Sequence, residues 1–252
     1  LGIFESVDDA SQAVSDIIAA GILQGALEMM DQLITQAVEA AYHFGFPLDA
    51  GAVLIVELDG PAAGLERQGA RIVEICKKNR ARKIQVAQNE EERVLLWKCR
   101  KRAFGAVGRL SPNFVTQDGV IPRSKLPEMM RFIRATSEKY ALRIPNVFHA
   151  GDGNLHPLVL YDERDADQIR RAIAASHDIL SKCIEFGGSV TGEHGIGVEK
   201  IDLMEKQYSR DDLDAMRVLR HAFDPAGRSN PHKMFPGSKR CSDFFPKKQA
   251  AA

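Results

Sequence analysis

The chain has 252 residues, 44% of them hydrophobic and 27% charged, an ordinary globular composition with enough apolar side chain for a sizeable core. Lys plus Arg and Asp plus Glu each number 34, so the formal net charge is zero. No basic field argues for nucleic acid or for an anionic membrane surface. The four cysteines, Cys76, Cys99, Cys183 and Cys241, lie far apart without a C-x-x-C pair. That usage points to reduced thiols in a cytoplasmic protein rather than to a disulfide frame or a zinc knuckle.

In chain order, residues 1–4 read as the end of a strand, entered without a Met, as expected of a domain excised from a longer chain. Ser6 and the acids behind it open a helix over 7–20, which Gly21 stops. The apolar run IIAAGILQGALEMM is broken by glycines and polar residues and is too short to cross a bilayer. Within it, 25–30 (GALEMM) fits either strand or helix. Helical periodicity follows over 31–45, 61–80, 91–110, 125–140, 166–186 and 211–223. Strands are expected at 52–58, 84–87, 114–121, 146–149 and 155–161, with a shorter one at 188–191. The basic stretches 77–83 (KKNRARK) and 100–102 (RKR) suit helix ends or local anion sites.

From residue 114 the order is strand, helix, strand, strand, helix, strand, which is the split βαβ unit. If 25–30 is a strand, the first half reads the same way around an inserted helix. The expectation is one α+β domain: duplicated ferredoxin-like halves, about 1–88 and 114–192, of antiparallel sheet covered by helices, joined by helix 91–110. A C-terminal helix and tail fill 209–240. No G-x-G-x-x-G follows a strand and no Walker sequence occurs, so the chain shows no nucleotide-phosphate cradle of its own.

Two motifs carry the chemistry. In HAGDGNLHP, His149 ends one apolar strand and His156 begins the next, around a turn rich in Gly and Asn. In GEHGIG, Glu193 stands beside His194 between Gly192 and Gly195. A tight connection would bring two imidazoles together, and Glu193 would add a charged oxygen: a His₂Glu set with open positions, as catalytic metals use. Zinc, manganese and iron all suit such donors. His194 would need a bent backbone to face the same site, and could then serve as a general base. Read from residues alone, the same motifs also fit glycine-rich turns with packing histidines and a solvated Asp152. A stand-alone metal-dependent hydrolase and a non-catalytic interaction module remain open on those terms.

Together with FDPAGRSNPHKMFP, AAGILQGALEMMD, AVLIVELDG and LLWKCRKRAFGAVGRLSPNFVTQDGVIPR, the two motifs make the chain resemble a known family. It is similar to the C-terminal domain of the FAD-linked oxidases of the vanillyl-alcohol oxidase type. Within them it stands nearest the flavoprotein subunit of glycolate oxidases, with D-lactate and D-2-hydroxyglutarate dehydrogenases as relatives. The resemblance implies a substrate and cap domain of an FAD-dependent 2-hydroxy-acid dehydrogenase, whose N-terminal FAD-binding domain is absent from this chain. It implies metal ligands at His149, His156 and Glu193, a base at His194, and a substrate contact at Asn154. Trp97 and Arg100 match a Trp-x-x-Arg motif, with Arg100 as clamp for the substrate carboxylate; the residues alone would make Arg100 a surface helix arginine. Asn230 and Lys233 fall where the flavin would sit, although His232 stands where the family's Asn-Pro-Gly-Lys has glycine. The stretch Val115–Asp118 lacks the lysine of relatives that act on larger diacids, which favours a small monocarboxylic 2-hydroxy acid. An iron–sulfur subunit is implied as a partner, and a cytoplasmic location, at most peripheral at the inner face of the membrane.

Overall fold

The computed structural model describes residues 1–237; Cys241 and the end of the expected tail, 238–240, lie outside the described residues. Its first half runs β1 (Gly2–Phe4), α1 (Val7–Ala19), β2 (Ala26–Asp31), α2 (Gln32–Tyr42), β3 (Ala52–Glu57), α3 (Ala62–Lys78) and β4 (Ala81–Ile84). Then come α4 (Glu90–Val107), β5 (Asn113–Thr116), β6 (Gly119–Val120), α5 (Leu126–Tyr140), β7 (Val147–His149), β8 (Asn154–Leu155) and β9 (Leu158–Tyr161). The chain continues through α6 (Ala166–Glu185), α7 (Ile201–Gln207) and α8 (Arg210–Phe223).

Among the described residues the main sheet has seven strands in the order β4-β1-β3-β2-β7-β8-β6, and β5 pairs with β9 in a separate ladder. Every named pairing is antiparallel. The chain is therefore α+β, with helices covering antiparallel sheet. Residues 25–30 resolve as strand because alternation decides it. Leu27 and Met29 enter one core, with Phe4, Leu54 and Phe148 beneath α1 and α5, while Met30 enters the other. That second core packs β2, β3 and β7 against α2 and α4, through Ile34, Val53, Cys99 and Val147. Glu28 lies between these apolar positions and is only 7% exposed.

Several boundaries differ from expectation for local reasons. Asp31 closes β2 and caps α2, its carboxylate accepting from Ile34 N at 3.0 Å. The strand expected at 84–87 starts at Ala81, because Arg80 takes φ 61° and turns the chain straight out of α3. The strand expected over 114–121 breaks at Gln117–Asp118, and that over 155–161 breaks at His156–Pro157. The two breaks face each other: Pro157 has no amide hydrogen to give a ladder, and its carbonyl accepts from Gln117 N at 3.0 Å. At 188–191 only Ser189 bridges, to Val120. Helix α7 was not expected. Among the described residues, no helix is long and apolar enough to cross a membrane.

Candidate metal and active site

The β2–β7 register places Glu28 opposite His149, and the turn after β7 pairs His149 with Asn154. His156 follows at the strand break. The imidazoles of His149 and His156 meet edge-on with ring centroids 5.2 Å apart. His194 stacks on the other side of His156, centroids 5.1 Å apart and nearly parallel. Glu193 Oε1 sits among all three rings: 3.0 Å from His156 Nε2, 3.6 Å from His194 Nε2 and 3.7 Å from His149 Nε2. The structure thus brings His149, His156, Glu193 and His194 together, with Glu193 and His194 turned to the same side by a bend rather than alternating as in a strand.

Both strand histidines are held through Nδ1. His149 Nδ1 lies 2.6 Å from Glu28 Oε1, and His156 Nδ1 lies 3.2 Å from the carbonyl of Gln117. The Glu28 carboxylate favours the proton of His149 on Nδ1, while His156 has an acceptor at each ring nitrogen, the Gln117 carbonyl at Nδ1 and Glu193 Oε1 at Nε2. The hydrogen bond to Glu28 raises the pKa of His149, whereas burial lowers that of His156. Burial works against ionisation of Glu28, but His149 and Arg100 outweigh it and its pKa is lowered.

The GEHG bend is held by a residue that the motif reading passed over. Asp118 is fully buried, and its carboxylate accepts from the backbone N–H of Gly192 (3.1 Å), Glu193 (3.1 Å) and His194 (2.9 Å). Thr191 Oγ1 and Lys200 Nζ complete the shell, the latter at 3.2 Å. Burial opposes the charge, yet these donors and Lys200 hold the carboxyl well below the usual carboxylate range. Asp118, His156, Glu193 and His194 each offer a donor atom within 4.8 Å of the others. Because Asp118 already accepts five donors, it orders the bend rather than competing as a ligand. The only sequence signal was an aspartate sitting beside a glycine in the DGVIP stretch, which does not announce a buried anion.

Arg100 is not a surface residue. It is buried on α4, with Nε 2.8 Å from Glu28 Oε2 and the guanidinium over the Phe104 ring at 5.9 Å. Trp97, one turn earlier, donates to Glu57, as does Arg93. Asn154 is buried, and its Oδ1 has no hydrogen-bond partner. It packs against Gly192 so closely that a Cβ there would sit 2.7 Å from the Asn154 amide carbon, so the two motifs touch only because Gly192 has no side chain. Asn230 and Lys233 lie on the exposed tail, outside the histidine cluster. Arg220 of α8 donates to the carbonyls of Ser229, Asn230 and Lys233, and Met234 N donates to Gly197 O at 2.8 Å, which seats the tail beside the end of GEHGIG. His232 takes φ 64°, a conformation that favours glycine.

The donor set fits a divalent cation. Two imidazoles pre-set by Nδ1 acceptors, a carboxylate oxygen among them, and an unpartnered buried amide oxygen alongside are what a first and second ligand shell require.

A family profile described as "FAD linked oxidases, C-terminal domain" matches residues 3–234. The glycolate oxidase subunit GlcD of Escherichia coli (strain K12) is 46% identical over 244 residues, 97% of this chain and 49% of that protein. GlcD of Bacillus subtilis (strain 168) is 42% identical over 235 residues, 93% of this chain and 50% of that protein. The mitochondrial D-lactate dehydrogenase [cytochrome] of Arabidopsis thaliana is 28% identical over 235 residues, 92% of this chain and 41% of that protein. The chain therefore spans about half the length of the curated relatives it matches. Among solved structures, p-cresol methylhydroxylase with substrate bound superposes with a TM-score of 0.65, over 91% of this chain and 52% of that one, at 15% identity. At that identity the likeness is one of fold.

Proposed function

This chain belongs to the FAD linked oxidases, as their C-terminal domain, and on that premise we propose that it is the substrate and cap domain of a flavin-dependent 2-hydroxy-acid oxidoreductase. The substrate class is a small monocarboxylic 2-hydroxy acid of the glycolate or D-lactate kind, named by the relatives. The observation that carries this is the convergence of three imidazole Nε2 atoms on Glu193 Oε1.

His149, His156 and Glu193 would hold a divalent cation, zinc, manganese or iron, which when bound would supply Lewis-acid activation of the substrate hydroxyl. His194 Nε2, on the open side of the cluster, takes the hydroxyl proton. Arg100 keeps Nε on Glu28 and turns its remaining N–H groups to the substrate carboxylate, and Asn154 contacts the substrate. Those contacts fix the Cα–H of the bound acid in one direction. Asn230 and Lys233 of the tail would help hold FAD, bound mainly by the FAD-binding domain of the same protein, which would supply the hydride acceptor.

The duplicated ferredoxin-like plan belongs to the same reading. The order β4-β1-β3-β2 supports it for the first half; β7-β8-β6 with the Val120–Ser189 bridge supports it for the second. An iron–sulfur subunit is the proposed electron partner. The buried free thiols Cys76, Cys99 and Cys183 support a reducing, cytoplasmic setting.

Calorimetric titration of this chain with Zn²⁺ and Mn²⁺ tests the reading at its base. The expected result is one site per chain, lost in His156→Ala and Glu193→Gln. A chain that takes up neither ion, or variants that bind as well, would overturn the metal assignment. Joined to a flavin-binding partner domain, the same variants should lose oxidation of glycolate or D-lactate.

A further inference from the structure

Glu28 lies outside both motifs, on the first half of the chain, yet its carboxylate meets both a motif histidine and Arg100 at hydrogen-bond distance. It sits in β2 on the face turned to α4, beside Met30 and across from His149 in the β2–β7 register. A glutamate among apolar neighbours is costly unless both its oxygens are used. Here they are divided: Oε1 is 2.6 Å from His149 Nδ1 and Oε2 is 2.8 Å from Arg100 Nε.

We infer that Glu28 is the positioning residue of this site: a single carboxylate that sets His149 as an Nε2 donor and aims the Arg100 guanidinium. The inference rests on the metal and substrate roles proposed above for those two residues. Its logic is one of hydrogen-bond inventory. A carboxylate only accepts, so the proton between Glu28 and His149 belongs to Nδ1, and Nε2 carries the lone pair. The second oxygen meets a donor that never deprotonates, which keeps the carboxylate charged and its two bonds directional. His156 has a different Nδ1 partner, the Gln117 carbonyl at 3.2 Å. The two histidines are thus set by different halves of the chain, His149 from β2 and His156 from the segment beside β6.

Glutamine at this position has one acceptor and one donor end. With its oxygen on Arg100, its amino group faces His149 Nδ1, which must then accept, and the ring proton moves to Nε2. With its oxygen on His149, its amino group faces the Arg100 Nε–H, and that contact is lost. No orientation satisfies both.

The test reads tautomers first. ¹⁵N–¹H correlation of the imidazoles in the metal-free chain at alkaline pH, where the rings are neutral, should show His149 protonated on Nδ1. In Glu28→Gln, His149 should shift toward the Nε2–H form while His156 stays unchanged, and Zn²⁺ affinity should fall about 10- to 100-fold. Glu28→Asp, which keeps a carboxylate but shortens its reach, should retain the Nδ1–H tautomer and lose less affinity. An Nε2–H tautomer for His149 in the unsubstituted chain overturns the inference without any variant having to fold. A Glu28→Gln chain with His149 unchanged and Zn²⁺ affinity within about twofold of the parent overturns it equally. If the unsubstituted chain takes up no Zn²⁺, the metal assignment falls, and the tautomers still decide what Glu28 does.

Discussion

Lys200 Nζ lies 3.2 Å from Asp118 Oδ2, and both side chains are buried, Lys200 at 5% exposure and Asp118 at zero. This pair stands behind the bend that carries Glu193 and His194. Its charges neutralise each other, while the remaining capacity of the carboxylate is spent on consecutive backbone N–H groups. Removing one partner strands the other, and the cost of an uncompensated buried charge exceeds that of losing the pair. Lys200→Met should cost about 3 kcal/mol in urea denaturation, and Asp118→Asn a similar amount. The double variant should be less destabilised than the two costs added. If each single change costs under about 1 kcal/mol, the pair does not hold the bend.

The turn of HAGDGNLHP depends on Gly153. It takes φ 74°, and a Cβ there would lie 2.3 Å from the carbonyl oxygen of Ile121, which is backbone and cannot move aside alone. Its own carbonyl accepts from Ile121 N at 3.0 Å. Gly153→Ala therefore combines left-handed strain of about 1–2 kcal/mol with a backbone clash. A loss of at least about 2 kcal/mol in chemical denaturation is expected, with weakened Zn²⁺ uptake because the turn separates His149 from His156. An alanine variant as stable as the parent would show that the turn has a second, unstrained conformation.

Asn154 offers a separate check on the substrate side. Its Oδ1 is buried without a partner, a state that costs about 1–3 kcal/mol unless a bound group completes it. Asn154→Ala should thus leave the folded chain at least as stable as expected for a lost side chain, while weakening glycolate or D-lactate in the flavin-complemented enzyme by about 1–3 kcal/mol. Equal substrate affinity in the variant would remove Asn154 from the site.

What the sequence made legible follows from range. Within each motif, His149 with His156 and Glu193 with His194 were readable as neighbours because they lie a few positions apart on strand ends and glycine bends; that the two motifs meet came from the resemblance. The helices α1, α5 and α6 were readable because each carries an apolar stripe, and α1, α4 and α6 begin with a side-chain cap, at Ser6, Asn89 and Asp165. Glu28 and Asp118 were not, because nothing local marks them. Glu28 becomes polar-critical only when β2 pairs with β7, more than a hundred residues away, and Asp118 only when the strand breaks before β6. Arg100 was assigned its role by resemblance; its own neighbourhood, a basic run on a helix, argued for solvent. The broken strands were missed because the effect of Pro157 shows only opposite Gln117.

Asp31 gives a pH dependence far from the histidines. Its Oδ1 accepts from Ile34 N at 3.0 Å, and its Oδ2 from Asn146 N at 2.7 Å and Asn146 Nδ2 at 3.0 Å. Burial outweighs these donors and pushes its carboxyl up to about 6. Between about pH 4 and 6 the native state then holds a proton that the unfolded chain has released, so stability falls as pH rises through that window and levels off above it. The contribution lost is about 3 kcal/mol, from the distance between the folded and ordinary carboxyl values. Two measurements check this. Carboxyl ¹³C titration should give Asp31 a midpoint near 6. Denaturation across the same window should be less steep in pH for Asp31→Asn than for the parent, because the variant has no proton to lose. Parallel slopes, or an Asp31 midpoint in the ordinary carboxylate range, would mean that water reaches this cap and shares its charge.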